Sequence, residues 1–304
     1  MIIQKHSDMR SHDREHGFSL IELLVSLTVF LVIAGCSLAV LSYGQKLFHS
    51  QQTQADMHAG LRGAFELMTQ EIGQAGALSS ATKTLTPAIT ASASAQATPI
   101  SSLDGIFVGE KLTVDTGGSQ EVVTVTAIGT NQITAIYSKS HAAGAIVVAR
   151  GVFPQGVLSS STSTSLKLFG DINADGTVVY VQYDCDMTAG TLTRSVTTVA
   201  PGVTTRNTSQ TLLTNLIANP SATPCFQYGT AVTASGYTFV PSVAVSLTLQ
   251  TSQRDAQTGA YQTMTKSFSN LSSRNILVGL ALAQASPAVT NRLQATPPGL
   301  PLGP

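Results

Sequence analysis

Apolar and polar positions follow three different patterns along this chain. From Phe18 to Leu41 the sequence is FSLIELLVSLTVFLVIAGCSLAVL, apolar almost throughout, with Glu22 as its single charge. A helix needs about 20 predominantly apolar residues to cross a bilayer core. The run has that length, so a transmembrane helix over 18–41 is the first reading, with a buried core helix as the alternative. From Ser42 the pattern becomes amphipathic. Leu47, Met57, Leu61, Ala64, Phe65, Met68 and Ile72 fall mostly at steps of three and four, with Gln, Asp, Arg and Glu opposite. That spacing predicts an amphipathic helix within 42–78 whose stripe packs on a sheet.

The third pattern is the alternation of strands. Residues 79–102 (SSATKTLTPAITASASAQATPISS) are small and polar and read as a Ser/Thr/Ala-rich loop. Over 103–157, alternation broken by Thr116-Gly117-Gly118 and Gly129-Thr130-Asn131 predicts four or five short strands, an inserted β-module. A further β-domain is expected over 158–276, with strands at Val178–Val181, Thr191–Arg194 and Val243–Leu249. Ser273-Arg274-Asn275 is expected to end the folded part. Residues 277–304 then form a C-terminal tail, disordered from 286, where Pro and Gly are frequent and charge is nearly absent. The expected fold class is α+β: a long N-terminal helix, half anchor and half scaffold, packed on an antiparallel sheet.

Charge narrows the function classes. The 304 residues carry 16 Lys plus Arg and 16 Asp plus Glu, and only 11% are charged. A neutral chain has no global field to draw in nucleic acid, and no nucleic-acid partner is evident. There is no GxSxG, HExxH or P-loop pattern. Five of the six His (His6, His12, His16, His49, His58) lie in the leader and helix, which leaves His141, read as a surface turn residue. Neither an enzyme nor a cofactor is expected. Asp171-Ile172-Asn173-Ala174-Asp175-Gly176 is the first half of a Ca²⁺ loop, which makes Asp171, Asn173 and Asp175 a weak metal candidate. The second half fails, because position twelve is Gln182 and a strand follows. A polar turn closing a β-hairpin is the competing reading.

Glu22 is the residue that directs the functional reading. A carboxylate in a bilayer costs about 2 to 3 kcal/mol or more, so it needs a partner or marks a function. With its surroundings, His16-Gly17-Phe18-Ser19-Leu20-Ile21-Glu22, it resembles the processing site of class III signal peptides of type IV prepilins and pseudopilins: a short hydrophilic leader ending in Gly, then Phe, Ser or Thr, Leu, a branched residue and Glu. The resemblance implies residues 1–17 as leader, cleavage by a prepilin peptidase between Gly17 and Phe18, and N-methylation of Phe18. It implies that Glu22 pairs with a neighbouring subunit's N-terminal amine during assembly. Its presence argues against a tip position in the filament. Ile33-Ala34-Gly35-Cys36 also fits a lipobox. Against this, Glu22 would sit inside the h-region, which would exceed the usual length of about 7 to 15 residues.

Residues Arg62 to Gly76 are similar to a segment of PilW-type minor pilins, although Gly73 stands where that family usually has Arg. The J-type pseudopilin of type II secretion has a related segment, so both systems stay open, as does an adhesive or ligand-binding surface protein on the same anchor. The 103–157 module loosely resembles a recurrent β-module of phage and bacterial surface proteins. The implied location is the inner membrane, single-pass, with the C-terminal domain in the periplasm, and then a pilus or pseudopilus at the cell surface. The implied partners are prepilin peptidase, other pilins or pseudopilins, the inner-membrane assembly platform and the membrane. In that oxidising compartment, with Cys36 in the membrane, Cys185 and Cys225 are expected to form a disulfide. Two separate buried thiols are the alternative.

Overall fold

The computed structural model describes residues 19–78, 81–200, 202–255 and 257–303. It is an α+β protein built on one helix, α1 (Leu20–Gln74), of 55 residues. No Pro interrupts this segment, and Ala, Leu, Met, Gln and Glu favour helix over most of its length. It stops at Gly76, whose φ of 77° suits glycine and whose N–H donates to the Phe169 carbonyl (2.8 Å). The two halves of α1 differ in what they touch. The side chains from Leu20 to Leu41 are exposed, apart from the half-buried Ala34. From Met57 onward, Met57, Leu61, Ala64, Phe65, Met68 and Ile72 are buried against the β-domain. Leu47, expected in the same stripe, is half-buried.

Seven short strands follow: β1 (Lys83–Thr84), β2 (Gln96–Pro99), β3 (Lys111–Val114), β4 (Glu121–Thr124), β5 (Ala127–Gly129), β6 (Gln132–Ala135) and β7 (Ile146–Ala149). They form two antiparallel sheets, ordered β1-β7-β3-β4 and β2-β6-β5. Leu85, Ile89, Ile100, Leu112, Val123, Ile133, Tyr137 and Val147 fill a core of their own. This corrects the loop expected at 79–102, which contributes β1, β2 and the core residues Leu85, Ile89 and Ile100. Small polar residues hid strands whose backbone groups pair with β7 and β6, while three widely spaced aliphatics supply the buried side. The chain enters and leaves the module through a tight neck. Phe153 N–H donates to the Gly76 carbonyl (2.9 Å), and a Cβ on Gly156 would lie 2.3 Å from Gly76 N, so only glycine fits there.

The β-domain comprises β8 (Ser165–Gly170), β9 (Val179–Asp186), β10 (Thr191–Thr198), β11 (Gln210–Leu213), β12 (Leu216–Ile217), β13 (Phe226–Tyr228), β14 (Val232–Ala234), β15 (Tyr237–Phe239), β16 (Val243–Gln250) and β17 (Thr263–Leu271). One sheet runs β11-β10-β9-β8. A second is centred on β16, which pairs with β12, β13 and β17. The α1 stripe packs into a core shared with Leu168, Val181, Tyr183, Phe239, Val245 and Leu247.

The C-terminal region departs from the expectation. The fold does not end at Ser273. A second helix, α2 (Arg274–Gln284), starts there, with the Ser273 hydroxyl accepting from Ile276 N–H (3.3 Å) and donating to the Ala75 carbonyl at the end of α1. Ile276, Gly279 and Ala283 face inward, and a Cβ on Gly279 would lie 2.9 Å from Val152 Cγ2. Nor is the segment from 286 a loose tail. Leu293 is fully buried and Leu302 is buried. Gln294 bonds Lys111 N and O and Arg150 O at 2.8 to 2.9 Å. This strap links module and β-domain. Its buried points are few, Leu293, Gln294 and Leu302 among them: scattered Leu residues and neutral amides suit a seam as well as they suit disorder.

Candidate functional site

The candidate site is the start of α1. Ser19 occupies the N-cap position and Glu22 sits in the first turn, where a carboxylate complements the helix dipole. Glu22 is exposed and lies on a helix whose apolar stretch is nowhere buried. Among the described residues α1 is the one helix long and apolar enough to cross a membrane. Leu20, Val32 and Val40 are 82%, 66% and 72% exposed, an apolar surface that water does not tolerate and a bilayer would cover. Gly17 and Phe18, the expected cleavage pair, lie outside the described residues.

Residues 12–35 match the family model of the prokaryotic N-terminal methylation motif. That match spans Gly17, Phe18 and Glu22 and runs into the first half of the apolar helix, so the chain carries a type IV pilin-like signal joined to a single apolar anchor. No curated protein and no solved structure matches the chain. Cys36, the lipobox candidate, lies on the exposed face of α1 with helix continuing on both sides of it.

The two distal cysteines are bonded to each other. Cys185 sits on β9 and Cys225 just before β13, with Cα atoms 6.6 Å apart and both side chains buried. The bridge therefore ties the β9 sheet to the β16 sheet. The Asp171–Gly176 segment is a turn before β9. Asp171 is buried, its oxygens accepting from the backbone N–H groups of Asp175 (3.0 Å) and Gly176 (3.1 Å), while Asn173 and Asp175 stand exposed. No group of three or more His, Cys, Asp or Glu among the described residues could hold a metal ion. The Asp171 carboxylate is already used in closing its own turn.

Two polar sites escaped the sequence reading. Glu71 is buried on α1 and accepts from the Tyr183 hydroxyl and from Arg194 through Nη2 and Nε (3.2 Å for the latter). Burial pushes the Tyr183 hydroxyl up, reinforced by the neighbouring Glu71 carboxylate. The acidic position before Ile72 could have flagged it, since it falls beside the buried stripe. His141 was expected at the surface and is buried instead. The antiparallel bridge between Ile89 and His141 draws it into the module, where Nδ1 lies 3.1 Å from Asp115 and Nε2 lies 2.6 Å from Glu121. The His141 bond, first among the causes, holds the Asp115 carboxyl below its usual range. Glu121 is raised by burial, but hydrogen bonds from Ser138 and His141 outweigh this and leave it lowered.

Proposed function

We propose that this chain is a structural minor pilin, a subunit that primes or joins type IV pilus assembly after prepilin peptidase cleaves between Gly17 and Phe18. The observation that carries this reading is the methylation motif at 12–35, continuous with a helix whose exposed half is apolar and whose other half is the spine of an α+β domain. Glu22 supplies the assembly contact. A carboxylate and a terminal ammonium in apolar surroundings each need the other, so pairing between subunits fixes an axial register. The domain then faces the periplasm before incorporation, and the partners are other pilins and the inner-membrane assembly platform. The role is non-enzymatic and needs no cofactor.

The test is mass spectrometry of the N-terminal peptide of the mature protein. N-methyl-Phe18 is the expected terminus, and Gly17→Val leaves the precursor uncut. A diacylated Cys36 at the terminus overturns the reading. Glu22→Ala is expected to stay in the membrane yet enter filaments poorly.

A further inference from the structure

The loop joining β16 to β17, described over residues 251–255 and 257–262, hangs beside α1 just past the end of the apolar run. Two hydrogen bonds set that height: Ser50 Oγ donates to Asp255 Oδ2 (2.5 Å), and Gln257 Nε2 donates to the Tyr43 hydroxyl oxygen (2.6 Å). Asp255 also accepts from the N–H groups of Gln257 and Thr258 and from the Gln262 side chain. The Ser50 bond, the largest cause, with the loop's N–H groups holds its carboxyl down at about 2. It is therefore ionised, and the residue is buried. Between loop and helix lies a cavity of about 450 Å³ whose lining includes Lys46, His49, Gln253, Arg254 and Asp255. Lys46 and Arg254 are exposed, and the Arg254 guanidinium stands 5.2 Å over the Tyr261 ring. Tyr43, Phe48 and Tyr261 present exposed rings around this foot of the domain.

The position of this cavity along α1 has a direct physical meaning. A helix rises about 1.5 Å per residue, so Tyr43 stands about 3 Å and Lys46 about 7.5 Å beyond Leu41. The polar layer outside a bilayer's hydrocarbon core is about 5 to 8 Å deep on each side. With the apolar run in the core, Tyr43 and Lys46 stand in the headgroup layer with the Gln257 side chain bonded to Tyr43, while Asp255, bonded to Ser50 about 13.5 Å beyond Leu41, stands just outside it. Aromatic rings together with Lys and Arg at and just outside that depth match the composition of interfacial anchors. Lys46 and Arg254 against Asp255 leave one excess positive charge, before any contribution from His49.

We propose that this cavity is a phospholipid headgroup site, in which Lys46 and Arg254 bind the phosphate of an anionic lipid in the leaflet on the domain's side. The inference rests on the membrane-anchor reading. Bound there, the lipid holds the domain upright on its helix before the subunit is withdrawn into a filament.

The experiment uses the full chain in nanodiscs, with Cys36→Ser and a fluorophore on Gln253→Cys. A nitroxide on the lipid headgroup is expected to quench the probe when phosphatidylglycerol is present. Lys46→Gln with Arg254→Gln is expected to reduce that quenching about twofold or more, and added salt to do the same. Equal quenching in the parent and the double variant overturns the site. In detergent, inorganic phosphate alone is expected to leave the probe's emission unchanged. A saturable change there means a free-phosphate site and overturns the lipid assignment. A second probe on Leu31→Cys, with the quencher in the acyl chains, separates the two readings. Quenching at Leu31 without quenching at Gln253 removes the headgroup site and leaves the anchor standing, whereas no quenching at Leu31 removes the anchor.

Discussion

At the scale of single residues, two buried carboxylates make opposite demands. Glu71 sits among donors: its partner Arg194 is 19% exposed at the side chain, and the Tyr183 hydroxyl donates to it. Removing one member of a buried pair leaves the other charge uncompensated, at a cost of about 3 kcal/mol. Glu71→Ala is therefore expected to lower stability to urea by that amount, and Tyr183→Phe by about 1 kcal/mol. Equal, small effects would show that the pair contributes little. Glu110 is the reverse case. It is buried, with only a weak bond from Phe107 N–H (3.4 Å), and burial pushes its carboxyl up to about 8, against the smaller lowering effects of Phe107 and Lys83. When folded it keeps its proton up to about pH 8, and when unfolded it loses it above 4.5. The native state thus binds more protons between those values, and stability falls as pH rises across that window. Glu110→Gln is expected to remove the slope and to gain at least about 1.4 kcal/mol at pH 8, the worth of one pKa unit. Denaturation at pH 5 and pH 8 reads this directly. Glu71 was legible only as an acidic position beside the buried stripe, and Glu110 not at all, because an isolated Glu gives no sign of what long-range packing places around it. Glu22 was legible because its surroundings are local.

At the scale of elements, legibility followed the strength of the local period. The apolar run, the Met57–Ile72 stripe and strands such as Val243–Leu249 carry their period in consecutive residues. The strands within 79–102 do not, since β1 is two residues long and is defined by pairing with β7. Helix α2 does have a signal, Ile276, Gly279, Leu280 and Ala283 at helical spacing after a Ser cap, and its position beyond an apparent domain end masked it. The strap behind it depends on Gln294, whose amide makes three bonds to the module's backbone. Gln294→Ala strands those buried groups and is expected to cost about 2 kcal/mol. Truncation before Pro287 is expected to split one thermal transition into two, for module and β-domain. A single unchanged transition would mean that the neck at Gly76 and Gly156 couples them unaided.

At the scale of the whole molecule, the disulfide binds two sheets across a sequence separation of 40 residues. Constraining an unfolded loop of that size is worth roughly 3 to 4 kcal/mol in the chain-entropy model. Cys185→Ser with Cys225→Ser is expected to lose stability of that order while leaving membrane insertion intact, as read by urea titration and membrane fractionation. An unchanged urea midpoint would mean that α1 alone holds the sheets together. Sequence identified the pair by elimination and compartment. It did not show that the bridge spans two sheets, because that depends on β9 and β13 meeting through the shared core.

Because α1 runs unbroken from Leu20 to Gln74, the azimuth of Glu22 is locked to that of the domain. Each residue of helix turns the chain by about 100°. Two alanines inserted between Leu41 and Ser42 would swing Glu22 through about 200° relative to the β-sheets, whereas seven would bring it back to within about 20°. If Glu22 docks against a neighbour, incorporation into filaments should collapse with two added residues and recover with seven, despite the greater displacement along the axis. A helix of this kind works as a phase shaft: it transmits angle as faithfully as it transmits length.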